Sequence, residues 1–305
     1  MSSKIIVVGS SNMDMVVKST HIPAPGETVL GGDFLMNPGG KGANQAVAAA
    51  RLGGKVAFIT KIGNYIFGHQ LAQLFGEEEI NMKGILADAN SPSGIALITV
   101  DEVGENSIVV APGANAHLNK QDVITKLKAY PAAKIILLQL EIPIETVEAI
   151  LRYAQEKDIR IMVNPAPVNK RILNLFPFID ILTPNAKEAE MLSGIAISDI
   201  ETAKLAASEI CKKGVKEVII TLGKLGAIQV NKDGARHIEA PQVAAIDTTA
   251  AGDVFNGAIA VYLAEGKTLL EAISFACKAA AIAVTKLGAY SSIPYRKEVL
   301  LANTE

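Results

Sequence analysis

The sequence predicts an α/β protein, a three-layer αβα sandwich with a mostly parallel, Rossmann-like central sheet and a small β-sheet lid. Three observations carry that expectation. Short runs rich in Ile and Val recur along the chain, and amphipathic segments of helical length lie between several of them. Two stretches break this alternation with period-two patterns and turn residues. Strands buried on both faces read as continuous apolar runs, and their alternation with helices marks a parallel sheet covered on both sides.

Taken in order, KIIVVGSSNMD, from Lys4, reads as a buried strand that stops at Gly and Ser. Residues 13–37 then alternate apolar and polar positions and carry turn signals, so they read as strands of the lid. A helix is expected over 43–52, a strand at 55–63 and a helix at 65–78. Residues 94–111 return to period two, with DEVGEN as a hairpin turn. Neither period-two stretch is long enough to fold alone. They are therefore expected to form one lid, inserted at about 13–37 and 94–111 into a single domain spanning 1–305. Strands at 134–141, 159–167, 179–185 and 217–223 interleave with helices at 119–129, 144–157, 186–193 and 200–213. The stretch 251–286 reads as two helices rich in small residues.

Composition removes several function classes. At 305 residues and 50% hydrophobic, the chain can bury a large core, and its formal charge of −2 offers no basic footprint for nucleic acid. No run approaches the roughly 18 apolar residues of a membrane span, and SKIIVVGS is too short an apolar run for a targeting segment. Cys211 and Cys277 stand far apart, outside any C-x-x-C spacing, which fits a reducing, cytoplasmic setting and excludes a disulfide framework or cysteine zinc site. His21, His69, His117 and His237 never fall at i, i+4, so no helical histidine pair can hold a metal.

Common nucleotide motifs are missing. EGKTL supplies Gly266, Lys267 and Thr268, but Val261 stands where a Walker A loop needs its first glycine. GGKGANQ comes nearest to the dinucleotide fingerprint G-x-G-x-x-G, and Gln45 stands where the third glycine belongs. Neither H-E-x-x-H nor G-x-S-x-G occurs, which removes the usual signatures of zinc proteases and α/β-hydrolases.

What remains clusters at the C-terminal ends of the expected strands, where open α/β sheets bind ligands. Asn12 and Asp14 follow the first strand, Glu141 follows KIILLQL, and Asn185 follows IDILTP. Singly these are turn formers or caps; together they suit a polyhydroxylated ligand, whose hydroxyls need acceptors. In NPGGKGANQ, Gly40, Lys41 and Gly42 open a helix whose first turn carries Asn44. That turn joins the same site only if it folds toward the same strand ends. In DTTAAGDVFNGAIA, the small residues Ala250, Ala251 and Gly252 leave first-turn N–H groups bare for a phosphate oxyanion. Asp253 then sits beside that phosphate, placed to take a proton from an attacking hydroxyl.

These two stretches closely resemble the paired signatures of the ribokinase family of sugar kinases, and SNMD, QLEIP, NPAP, TPNAKEAE and TLGKLGA follow in family order over the whole length. The resemblance implies ATP-dependent phosphorylation of D-ribose at its 5-hydroxyl. It implies that Asp253 is the catalytic base, that the backbone of Ala250, Ala251 and Gly252 is the anion hole, and that Asn12, Asp14, Gly40, Lys41, Asn44 and Glu141 form the sugar pocket. Asn185 and Glu188 match residues that hold magnesium–nucleotide, largely through water. Thr221 and Gly223, with Lys224 and Gly226 of the KLGA turn, match the nucleotide pocket, with Cys277 near its adenine end. Asp247 and Thr249, with backbone groups around Ala283, Lys286, Gly288 and Ser292, match a monovalent-cation (potassium) site. The resemblance also implies a homodimer in which two lids clasp. Val254 stands where the family often has threonine, next to the base without touching its chemistry.

Two other readings stay open on the residues alone. The first is a kinase of the same fold for another unphosphorylated substrate, such as fructose, a deoxysugar or a nucleoside. The second is a non-catalytic sugar sensor, against which the intact Asp253 argues.

Overall fold

The computed structural model describes residues 4–302; the ends of the 1–305 span lie outside it. The chain opens with β1 (Ile5–Val8), β2 (Asn12–Lys18), β3 (Phe34–Gly39), α1 (Lys41–Arg51), β4 (Val56–Ile59), β5 (Lys61–Gly63) and α2 (Ile66–Glu77). It continues through β6 (Leu86–Asp88), β7 (Gly94–Val100), β8 (Asn106–Ala111), α3 (Lys120–Leu127), β9 (Ile135–Leu138), α4 (Ile144–Glu156) and β10 (Arg160–Val163). Then come β11 (Ile181–Leu182), α5 (Ala186–Ser193), α6 (Ile200–Lys212), β12 (Glu217–Thr221), β13 (Ala227–Asn231) and β14 (Gly234–Ile238). The last helices are α7 (Ala251–Ala264), α8 (Leu269–Ala283), α9 (Ala289–Ser292) and α10 (Arg296–Leu301).

The central sheet runs β14-β13-β12-β11-β10-β9-β1-β4. Pairings from β4 through β12 are parallel, while β13 and β14 are antiparallel. Every residue of β1, β4 and β9 is buried, as strands covered on both faces require. Alternate residues of β1 face opposite cores. Ile5 and Val7 pack with α1, α7 and α8, whereas Ile6 and Val8 pack with α3, α4 and α6. This is the three-layer sandwich that the alternating sequence calls for. Between β1 and β9 the strand order reverses, which opens a crevice at their C-terminal ends.

A second sheet, ordered β3-β2-β7-β8, contains the two period-two stretches. DEVGEN is indeed a hairpin turn, where the Asp101 carboxylate accepts the Val103 and Glu105 N–H groups. Three features of the sheets depart from the sequence reading. The expected strand over 55–63 is split into β4 and β5, which belong to different sheets, with β5 pairing to β6. Asn12, expected as a strand-end residue ahead of the lid stretch, instead begins β2, with Asp14 two residues on and so on the same face. The β13–β14 hairpin was not expected, although its N-K-D-G corner carries a usable turn signal. The expected helices match to within three residues at each end, while α9 and α10 were not expected.

α1 meets the end of β1 backbone to backbone. A Cβ on Gly42 would lie 2.6 Å from Gly9 C and from Ser10 N and O. Glycine is therefore required there by contact, and this contact carries the start of α1 onto the strand ends.

Candidate active site

The structure gathers the proposed sugar-pocket residues at the crevice between β1 and β9. Glu141, just past β9, accepts hydrogen bonds through Oε2 from Ser10 Oγ (2.5 Å) and from the Lys41 N–H (3.1 Å). Gly40, the residue before α1, has φ 88° and sits against the Asn12 backbone, where a Cβ would lie 2.9 Å from Asn12 N. Asp14 lies against Gly39 of the neighbouring β3; a Cβ on Gly39 would fall 2.0 Å from Asp14 Oδ2. Asn44 Nδ2 donates to Asp253 Oδ2 (3.1 Å), which joins α1 to α7. The turn of NPGGKGANQ thus folds toward Asn12 and Asp14, the condition that the sequence left open.

Asp253 is buried, at 7% exposure. Its Oδ1 accepts a hydrogen bond from Gln45 Nε2 (2.9 Å). Burial pushes its pKa up, with Glu141 adding to the rise, and Lys41, Gln45 and Asn44 oppose that rise. Asp14 is pushed up to about 7 by burial first, then by the charges of Glu141 and Asp253, against Lys41. Lys41 would be lowered by burial, but Asp253, Glu141, Glu188 and Asp14 surround it and raise it. Burial also raises Glu188.

The N-terminus of α7 is unusual. Ala250 occupies the cap position in the left-handed region (φ 61°) and makes no side-chain cap. A non-glycine residue held there costs about 1–3 kcal/mol, so the surrounding loop must impose the conformation. No side chain caps the first-turn N–H groups, and the Ala251 N–H donates to the Thr248 carbonyl (3.3 Å). A Cβ on Gly252 would meet nothing within 4 Å and would project into open space. Two cavities join at this point. One, of about 220 Å³, is lined by Thr221, Gly223, Lys224, Gly226, Gly252 and Cys277 among others, with Phe255, Val243 and Val284 giving it an apolar wall. The other, of about 190 Å³, is polar and lined by Lys41, Asn185, Glu188, Ala250, Gly252 and Asp253 among others. Asn185 therefore faces the second cavity and not the first. It also caps α5 reciprocally with Glu188: Asn185 Oδ1 accepts the Glu188 N–H (2.9 Å) and Glu188 Oε2 accepts the Asn185 N–H (2.8 Å).

Among the proposed cation residues, the structure joins Asp247, Thr249 and Gly288. Asp247 Oδ1 accepts from the Thr249 N–H (2.9 Å) and hydroxyl (2.6 Å), and Oδ2 accepts from the Gly288 N–H (2.8 Å). Ala283, Lys286 and Ser292 make other bonds. The Ala283 carbonyl accepts the Lys286 N–H, Lys286 Nζ pairs with Glu298, and Ser292 Oγ donates to the Ala289 carbonyl. Among the described residues, no group of three His, Cys, Asp or Glu side chains forms a metal cluster.

Several residues of the site were not singled out in the sequence. Asn115, buried beside β2, donates from Nδ2 to Asn12 Oδ1 (2.8 Å) and accepts the Ser11 N–H through Oδ1 (2.9 Å). Gln45, Asn164, Thr183 and Asn256 surround Asp253 and Gly252. All are ordinary polar residues in strand-end or helical positions, and only tertiary contact distinguishes them. The "NQ" after GGKGA and the "NP" of NPAP were the available signals.

Comparison with known proteins agrees with this fold. Residues 2–296 match the pfkB family of carbohydrate kinases. The chain is 44% identical over 300 residues to a ribokinase of Haemophilus influenzae, covering 98% of each protein. Its structure resembles the ribokinase of Thermotoga maritima (42% identity, TM-score 0.90) and an Arabidopsis thaliana ribokinase solved with ribose and ATP (30% identity, TM-score 0.90), each covered over 100% of both chains. The chain belongs to the pfkB family of carbohydrate kinases.

One consequence is measurable without substrate. The fold raises the Asp14 pKa from 3.8 to about 7, so the folded state favours the protonated form. Its contribution is fully present below pH 3.8 and is lost as pH rises through about 7. Thermal unfolding followed from pH 4 to 7.5 should therefore decline less steeply in Asp14→Asn than in the wild type. Parallel curves would mean that Asp14 titrates normally.

Proposed function

We propose that the chain transfers the γ-phosphoryl group of ATP to the 5-hydroxyl of D-ribose, giving D-ribose 5-phosphate and ADP. The observation that carries this reading is the position of Asp253 and the uncapped start of α7 where a partly apolar cavity meets a polar one. The first suits a nucleotide base and the second a phosphate and hydroxyl. Likeness to ribokinases over the whole chain names the sugar.

In this mechanism Asp14 accepts two ribose hydroxyls, while Asn12, Asn44, Glu141, Lys41 and the Gly40 backbone fix the remainder of the ring. The Asp253 carboxylate takes the proton of the 5-hydroxyl as its oxygen bonds to the γ-phosphorus, and the bond to the ADP oxygen breaks. N–H groups of residues 250–252 receive the charge carried on the transferred phosphoryl. Thr221, Gly223, Lys224, Gly226 and Cys277 hold the nucleotide. The carboxylates of Asp14, Glu141, Glu188 and Asp253 face a single lysine, Lys41, and would repel a bare triphosphate. Glu188, with one carboxylate oxygen free of its cap and acting through water, would hold Mg²⁺ beside Asn185, and the ion would neutralise the phosphates.

Asp247 and Thr249, with carbonyls of Ala283, Lys286, Gly288 and Ser292, are assigned to potassium. One carboxylate among carbonyls suits a large monovalent ion better than magnesium. Its role is to hold the 250–252 backbone. We read the chain as one domain with the β3-β2-β7-β8 sheet as a lid at about 13–37 and 94–111. Phe34, Leu35, Met36, Ile108, Val109 and Val110 are exposed on that sheet, which supports a homodimer through two lids. Two cysteines without a disulfide support a cytoplasmic setting, and no helix among the described residues is long and apolar enough to cross a membrane.

Four outcomes are expected. ADP release measured with ribose, 2-deoxyribose, fructose and a nucleoside should be fastest with ribose. In the same assay Asp253→Asn should lose ~10²–10⁴-fold in kcat; retention of a tenth of the rate would return Asp253 to a structural role. Replacing sodium by potassium at constant ionic strength should raise activity several-fold, and Asp247→Ala should abolish the response. Sedimentation at micromolar concentration should give a dimer, and a stable monomer would sink the lid interface.

A further inference from the structure

Behind Asp253 runs a chain of buried side chains to which the proposed reaction assigns nothing. Gln139, at the end of β9, donates from Nε2 to Gln45 Oε1 (2.5 Å). Gln45 Nε2 donates both to Asp253 Oδ1 (2.9 Å) and to Asn164 Oδ1 (3.2 Å). Asn164 Nδ2 donates to the Thr183 carbonyl (3.1 Å), and Thr183 Oγ donates to Asn256 Oδ1 (2.5 Å). Asn256 Nδ2 then donates to the carbonyl of Gly252 (2.7 Å). Gln139 and Gln45 are fully buried, and Asn164, Thr183 and Asn256 are 8%, 2% and 1% exposed.

The polarity of this chain is over-determined. A Gln45 amide turned by 180° would set its oxygen against Asp253 Oδ1 and Asn164 Oδ1 and its nitrogen against Gln139 Nε2. A turned Asn164 would set nitrogen against nitrogen at Gln45 and oxygen against the Thr183 carbonyl. A buried amide offers two donors and one acceptor group, and here one orientation satisfies Gln45 and Asn164, while Gln139 Oε1 is left without a partner. The two ends of the chain are the Asp253 carboxylate and the backbone of Gly252, which are the base and the anion hole of the proposed reaction. They are adjacent in sequence but are held from separate directions.

We propose that Gln45 is a positioning residue for Asp253 and the branch point of a single hydrogen-bonded unit, Gln139–Gln45–Asn164–Thr183–Asn256, which sets base and anion hole together. The inference rests on Asp253 acting as base in sugar phosphorylation. In this arrangement Asn164 controls Asp253 without touching it, because it holds the donor that does.

A double-mutant cycle on kcat tests the proposal. Gln45→Leu should lower kcat for ribose by about ten- to a hundredfold, with the KM for ATP unchanged within about threefold. Asn164→Ala should lower kcat by about tenfold. The double variant should be no slower than Gln45→Leu alone, since residues acting through one unit do not add. Should Gln45→Leu fail to fold, Gln45→Met keeps the length of the side chain without its donors and carries the same expectation. A folded Gln45 variant with kcat within threefold of wild type overturns the proposal, as do effects that multiply in the double variant. Absence of wild-type turnover on ribose instead sinks the choice of sugar, and the cycle is then run on the sugar that is turned over. No turnover on any sugar overturns both.

Discussion

A carboxylate removed from water is the constraint around which this molecule is arranged. Asp253 is buried, and a buried carboxylate is stable only when donors replace the lost hydration. Asn44 and Gln45 supply those donors from α1, over two hundred residues away in sequence. Removing such a partner leaves an uncompensated charge, which is far more damaging than never having buried the pair. α1 must therefore start at the right height, which the backbone contact of Gly42 with Gly9 and Ser10 ensures. The same contact brings the Lys41 N–H to Glu141, so the surroundings of Glu141 and of Asp253 share one structural origin.

Charge density comes at the expense of stability. Burial raises Asp14, Asp253 and Glu188 together, because each is desolvated and each also faces at least one other acid. Lys41 is held charged by the same group of acids. The left-handed Ala250 adds strain to the same small region. A fold selected for stability alone would neutralise or space these groups. Their concentration beside two cavities is the pattern of a functional site.

Much of this was legible in the sequence. The long helices and the buried parallel strands announce themselves by period and composition, because their faces are set by local geometry. Asp253 and the Gly40–Asn44 turn were legible because small residues crowd them in a way that packing alone does not require. Less legible was anything decided across the sheet. Lys61–Gly63 continues the apolar run of Val56–Ile59, yet it turns out of the central sheet to pair with Leu86–Asp88. Asn12 looked like a loop residue, because β2 begins only four residues after β1 ends. Gln45 entered the reading only as a missing glycine. Its partners at Gln139, Asn164 and Asp253 are distant in sequence, and no local pattern marks such a junction.

α1 also governs the far side of the molecule. At its C-terminal end Arg51 is buried and paired with Glu78, both at 8% side-chain exposure. The guanidinium NH1 of Arg51 donates to the carbonyls of Tyr290 (3.0 Å) and Ile293 (2.9 Å), and its plane lies over the Tyr290 and Tyr295 rings. Those carbonyls belong to the segment whose Gly288 N–H reaches Asp247. The segment is therefore pinned at one end by Asp247 of the loop before α7 and at the other by Arg51 of α1. Arginine suits this junction because its rigid fork can serve a carboxylate and two carbonyls while stacking on aromatic faces, which a lysine cannot do. One helix thus ties the donors of Asp253 to the segment proposed for the cation. Any shift of α1 relative to α7 would move both at once.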